Sequence, residues 1–236
     1  MELTMRNQMH YSARASRCRT LMISIGLTLL STVAAFGTQT PALEPGVDDW
    51  LTRLENRYQS GFSANFYQKS TLQAMGIDDE AGGKALFSPP GRMRWIYEQP
   101  EPYSIITDGN TVWIYRPAER QVMMGQADSY FGGGGGTSFL SDIKRLRSQF
   151  DATIDETSTE ETVVLRLVPV DGSLGFSSVY LKINRRSETV KEVVTYNAYQ
   201  DRTLIRFSQV KMAPEVKRQD FQFTVPAGTE TLMLSP

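Results

Sequence analysis

The stretch "PPGRMRWIYEQPEPYSIITDGNTVWIYRPAERQVMMGQ", residues 89–126, decides the fold. Prolines and an Asp108-Gly109 pair cut it into short apolar runs, and Asp-Gly between two such runs is a strong hairpin signal. Side chains alternate across a strand. In "RMRWIYE" that puts Met93, Trp95 and Tyr97 on one face, with Arg92, Arg94 and Glu98 on the other beside Ile96. In "TVWIYRP" Trp113 and Tyr115 share a face and match Trp95 and Tyr97 in period and kind. Segments this short and this close predict antiparallel neighbours, not parallel strands joined by helices.

Working outward, β signals continue on both sides. Upstream, "FSANFYQKSTLQ" places Phe62, Ala64 and Phe66 on one face, and a loop around "GIDDEAGG" leads into "KALFSPP". Downstream come "FDATIDE", "TVVLRLVPV", "FSSVYLKINR", "ETVKEVVTYNA", "RTLIRFSQVKM" and "DFQFTVP". Two amphipathic helices interrupt them. "VDDWLTRLENRYQS" repeats Leu51, Leu54 and Tyr58 at helical spacing, with Asp48 or Asp49 as cap and Gly61 as stop. Residues 137–150 place Phe139, Ile143, Leu146 and Phe150 on one side, away from Lys144, Arg145 and Arg147. The pattern predicts one mainly β domain: a single open, strongly curved antiparallel sheet, an unclosed barrel, under a lid of a few helices.

The N-terminus reads as a processing segment. Arg6, Arg14, Arg17 and Arg19 precede the apolar run "LMISIGLTLLSTVAAF" and a small-residue patch, the order of a secretory signal over residues 1–35. Cleavage is expected after Ala35, or as late as Ala42, leaving a domain over 43–236. An uncleaved membrane anchor is the competing reading; the run falls short of the roughly 20 apolar residues of a span. The single cysteine, Cys18, and the single histidine, His10, both lie in this segment. The remaining chain has neither, which removes a cysteine nucleophile, a Ser-His-Asp relay and His- or Cys-ligated metal. No cofactor is expected. Its mild acidic excess gives no reason to expect nucleic acid.

Enzymatic chemistry would therefore rest on carboxylates. The densest group, Asp78-Asp79-Glu80, reads more simply as a solvated turn. The five glycines 132–136 lack the Lys-Ser/Thr ending of a phosphate loop and read as a flexible connection before the second helix. The aromatic supply is more informative. For any one of Trp95, Tyr97, Trp113, Tyr115, Phe131 and Phe139 a packed core is the simpler reading. Taken together with Met93 and Met123, they also describe an apolar pocket under a lid.

The order of these segments resembles the periplasmic outer-membrane lipoprotein carrier family, LolA. The likeness rests on "F-x-A-x-F-x-Q" (Phe62, Ala64, Phe66, Gln68), "P-G-R-M-R-W-x-Y-x-x-P", "DGNTVWIYRPAERQV" and a terminal "F-x-F-x-x-P-x-G" (Phe221, Phe223, Pro226, Gly228). It implies a monomeric carrier, not an enzyme. Such a protein takes acylated lipoproteins from an inner-membrane ABC transporter and hands them to an outer-membrane acceptor. On this reading Leu54, Phe66, Trp95, Trp113, Tyr115, Phe139, Ile143 and Leu146 line the acyl cavity, and Pro89, Arg92, Met93 and Arg94 form a docking tip. Family members often carry a basic residue immediately before the proline that precedes this strand. Here that position is Pro89, which leaves open whether Arg92 or Arg94 substitutes. Rival readings are an open-barrel sensor of lipoproteins or envelope lipids and a carboxylate-dependent hydrolase.

Overall fold

The computed structural model describes residues 44–132, 138–171 and 175–234. The expected signal segment and most of the glycine run lie outside the described residues.

Helix α1 (Val47–Tyr58) starts where Gly46 N–H donates to the Asp49 carboxylate at 3.0 Å, so Gly46 is the N-cap and Asp49 the reaching side chain. Trp50, Leu51, Leu54 and Tyr58 form its buried stripe. Gly61 ends the turn at φ +77°, and a side chain there would overlap the Phe87 carbonyl oxygen, so only glycine fits.

Six strands follow: β1 (Phe62–Leu72), β2 (Ile77–Ser88), β3 (Arg92–Gln99), β4 (Tyr103–Thr107), β5 (Thr111–Arg116) and β6 (Gln121–Gln126). After helix α2 (Ala127–Gly132) and the lid described below come β7 (Phe150–Ile154), β8 (Thr162–Pro169), β9 (Ser178–Asn184), β10 (Thr189–Tyr196), β11 (Arg202–Met212) and β12 (Glu230–Met233). All join one sheet in the order β12-β6-β5-β4-β3-β2-β1-β11-β10-β9-β8-β7, which curves without closing. Every pairing is antiparallel except β12 with β6. The sheet is thus two meanders, β1–β6 and β7–β11, joined along β1–β11, where Phe66 pairs Phe207 and Gln68 pairs Ile205.

Three expectations are corrected. Residues 77–83 are strand, not loop: Asp78, Asp79 and Glu80 pair with Thr71, Ser70 and Lys69. Lys69 and Thr71 hydrogen-bond the Asp78 carboxylate and hold its pKa below the ordinary value. The second helix is broken. Its residues form 3₁₀ turns at Ser138–Ser141 and Ile143–Arg145 and one α-turn, α3 (Leu146–Gln149), because Asp142 between the two 3₁₀ turns has φ −153° and ψ 78°. "DFQFTVP" is not a strand; a 3₁₀ turn at Arg218–Phe221 leads into extended chain, and β12 follows instead.

The core occupies the concave face, between the sheet, α1 and the lid. Small residues on β2 let the aromatics of its neighbours touch. Phe66 and Tyr97 both pair with Gly83, and their rings meet across it at 4.9 Å. One step along, Ala64 and Trp95 flank Ala85.

Candidate functional site: the concave wall and its lid

Five of the expected lining residues meet in one cluster. Trp95 packs edge-on against Phe66 at 4.6 Å, and Leu54 from α1 with Ile143 and Leu146 from the lid complete it. Phe87 adds a ring to Trp95 at 5.5 Å and stacks on Phe62 at 4.5 Å. Each of these side chains is at most 5 % exposed, so lid and wall are in contact in this structure. The side chain of Phe139 lies outside the described residues.

Trp113 and Tyr115 are placed differently from the sequence expectation. The register pairs Trp113 with Ile106, and Ile106 with Arg94, while Trp95 pairs Ile105 and Ile105 pairs Ile114. Directly paired residues share a face. Trp113 and Tyr115 therefore stand on the convex side with Arg94, and the β5 residues behind the concave wall are Val112 and Ile114. Tyr115 instead contacts Phe223 at 5.1 Å.

The four residues of the expected docking tip have different surroundings. Met93 is 2 % exposed and part of the core. The Arg92 guanidinium turns back to Ser88 Oγ at 2.9 Å and lies over the Phe221 ring. Arg94 Nη1 donates to the Asp220 carbonyl at 2.8 Å. Both arginines hold the C-terminal segment against the convex face, where Phe221 is fully buried. The residue that joins this turn to the lid is Gly91, whose N–H donates to the Ser141 carbonyl at 3.1 Å. Pro89 remains accessible. With Pro90, Tyr58, Gln59, Ile143 and Lys144 it lines a depression of about 300 Å³ at the seam of lid and α1.

The sequence reading missed how the lid is held. Arg147 on α3 bonds Glu55 at 2.6 Å and Asp48 at 2.7 Å, and Nη2 donates to Thr52 Oγ1 at 2.8 Å and to the Asp48 carbonyl at 3.1 Å. These partners keep the guanidinium pKa above its ordinary value. Their spacing, 48, 52 and 55, was the available signal: three acceptors on one helical face.

An unclosed, curved sheet with an apolar concave wall under a short, separately anchored lid defines a half-barrel carrier architecture. The chain matches the family of outer membrane lipoprotein carrier protein LolA over residues 57–224, and it belongs to that family. It is 28 % identical over 172 residues to an outer-membrane lipoprotein carrier protein of Nitrosomonas europaea, covering 72 % of this chain and 82 % of that one. A protein of the same description from Azotobacter vinelandii is 28 % identical over 86 % of this chain and 96 % of its own length. Among solved structures, a conserved protein from Thermus thermophilus superposes with a TM-score of 0.53 at 14 % identity, over 79 % of this chain and 98 % of that one, a likeness of fold.

Proposed function

We propose that this protein is a periplasmic carrier, not a catalyst, which shelters the acyl chains of lipoproteins between the concave wall and the lid. It receives them from an inner-membrane ABC transporter and passes them to an outer-membrane acceptor. The observation that supports this most directly is how the apolar wall is covered. Strand ladders hold the wall, whereas the lid is held by the apolar packing of Leu140, Ile143 and Leu146, by the partly exposed Arg147 bonds to α1 and by the Gly91 bond to Ser141. A triacylated terminus exposes on the order of 40 methylenes at about 0.8 kcal/mol each, too much for an unassisted soluble chain. Rigid enclosure of all of it would approach the ceiling of non-covalent affinity and block release. A wall that stays and a lid that yields reconcile the two demands. The exposed Pro89-Pro90 turn, beside the lid seam, is the place where a partner would act on the lid.

The three tryptophans give the test, since Trp50 and Trp95 are in the core while Trp113 is on the convex face. A triacylated lipopeptide carrying a nitroxide on one acyl chain is added to single-tryptophan variants. Quenching of Trp95 with Trp113 unaffected is expected. Equal quenching of both, or none, would sink the carrier reading.

A further inference from the structure

The concave face changes character at one end. Along β1 its inward residues run Phe62, Ala64 and Phe66, and then Gln68 and Ser70; along β11 Phe207 and Ile205 give way to Thr203. On β3 Met93 and Trp95 are followed by Tyr97. The register staggers these changes, one row later on β1 than on β3 and one row later again on β11, so they form a diagonal band crossing four strands at the end of the wall away from α1, whose Tyr58 packs on Phe62. The band is hydrogen-bonded along its length. Tyr97 OH donates to Gln68 Oε1 at 3.0 Å, Gln68 Nε2 donates to Ser70 Oγ at 3.3 Å, and Ser70 Oγ lies 3.4 Å from Thr203 Oγ1. Tyr103 extends it onto β4, stacked on Tyr97 at 4.0 Å.

A wall that served only to hold hydrocarbon has no use for such a band, because each polar group there needs a partner to offset its desolvation. The group is self-satisfied at rest, yet two of its three bonds are long. One hydrogen of the Gln68 amide and one of the two hydroxyl hydrogens of Ser70 and Thr203 stay uncommitted. These donors are half-buried, beside the aromatic floor of Phe66 and Trp95. They match a ligand whose apolar tails end in hydrogen-bond acceptors with no charge.

Resting on the carrier reading above, we propose that the Tyr97–Gln68–Ser70–Thr203 band binds the ester and amide carbonyl oxygens at the head of the lipid moiety. The band then fixes the direction of the cargo. Acyl chains run from it over Trp95 and Phe66 toward Phe62 and Phe87, and the polypeptide of the cargo leaves from the end away from α1. Tyr97 keeps its proton at every ordinary pH, since burial, reinforced by the neighbouring Tyr103 hydroxyl, holds its pKa far above the usual phenol value, and its O–H turns from Gln68 Oε1 to the ligand when one is bound.

The experiment compares a diacylglyceryl-cysteine lipopeptide with its dialkyl ether analogue, which has the same chains and no ester carbonyls. Affinities are read by displacement of a fluorescent fatty acid. The wild-type protein is expected to prefer the ester about 3- to 10-fold, the range of one or two net hydrogen bonds. Tyr97→Phe and Gln68→Leu should lose the preference while holding the ether analogue within about twofold of wild type. Ser70→Ala, in the half-exposed part of the band, serves if either core variant fails to fold, and should halve the preference or more. Equal binding of the two ligands by the wild type, or a preference that survives in folded variants, overturns the band and leaves the carrier intact. Binding of neither ligand overturns the carrier reading and the band with it.

Discussion

Arg147 Nε lies 2.6 Å from Glu55 Oε1, and through this guanidinium the last turn of the lid is tied to α1. The same group reaches Asp48 and Thr52, so one residue carries four bonds across the seam. The ion pairs are partly exposed, and exposed pairs are individually weak and screened by salt. Arg147→Gln is expected to loosen the lid without unfolding the sheet. Amide hydrogen exchange over residues 143–149 should quicken about 2- to 5-fold, with β8 and β9 unchanged. Raising the salt concentration should do the same to the wild type and little to the variant. Uniform acceleration across the protein would mean that Arg147 supports the fold and not the lid alone.

Gly83 should tolerate no side chain. A Cβ there would overlap the Ile96 carbonyl oxygen, a backbone atom, whereas at Gly76 nothing lies within 4 Å and only the φ of +63° objects. Gly83→Ala is expected to cost roughly 2–4 kcal/mol and Gly76→Ala about 1–2 kcal/mol in urea unfolding. Similar losses at both sites would contradict the β2–β3 register, and with it the Phe66–Tyr97 contact.

Phe221 fastens the C-terminal segment to the convex face. It is fully buried, with the Arg92 guanidinium 5.5 Å from its ring centre. Phe221→Ala should destabilise the protein by about 3–4 kcal/mol. Because the segment lies on the opposite side from the cavity, acyl-probe affinity of the remaining folded protein should be unchanged. A variant that stays stable but loses affinity would place Phe221 in the ligand path.

Tyr58 makes stability fall in alkali. Its hydroxyl accepts the Val190 N–H at 2.8 Å, and burial pushes its pKa from 10.0 up to about 12. Between those values the unfolded chain has released this proton and the folded one has kept it. Folding stability is therefore whole below pH 10 and declines as pH rises toward 12, by on the order of 2–3 kcal/mol. Tyr58→Phe should flatten that decline. It should also lower stability at pH 7 by about 1–3 kcal/mol, since the Val190 amide loses its acceptor. Stability curves against pH for the two proteins, measured in urea, decide it.

These placements also show what the sequence could convey. Alternation within a strand is local, so Met93, Trp95 and Tyr97 were legible as one face, as was the α1 stripe from Trp50 to Tyr58. Matching Trp113 to Trp95 required more. Which face of β5 shares a side with β3 depends on the register across two turns, and a shift of one residue exchanges the faces. The turns 100–102 and 108–110 set that register, and residue type does not report it. The second helix differs from its expected continuous form for another reason. Its apolar spacing at Ile143 and Leu146 was real, but 3₁₀ turns bury the same residues as a helix would, and Asp142 gave no strong breaking signal. Arg92 and Arg94 looked free because the segment that occupies them arrives some 126 residues later.

That late arrival belongs to a wider property of the β1–β11 seam. Phe66 and Phe207 are paired neighbours in the middle of the sheet, yet 141 residues separate them along the chain. Each meander can zip through near neighbours, but the halves meet only after a very long loop closes, the slowest kind of contact to form. Until then Phe62, Phe66, Ile205 and Phe207 expose an unpaired, sticky edge. A protein whose work is to shield other chains' greasy termini is itself, while folding, in need of the same protection.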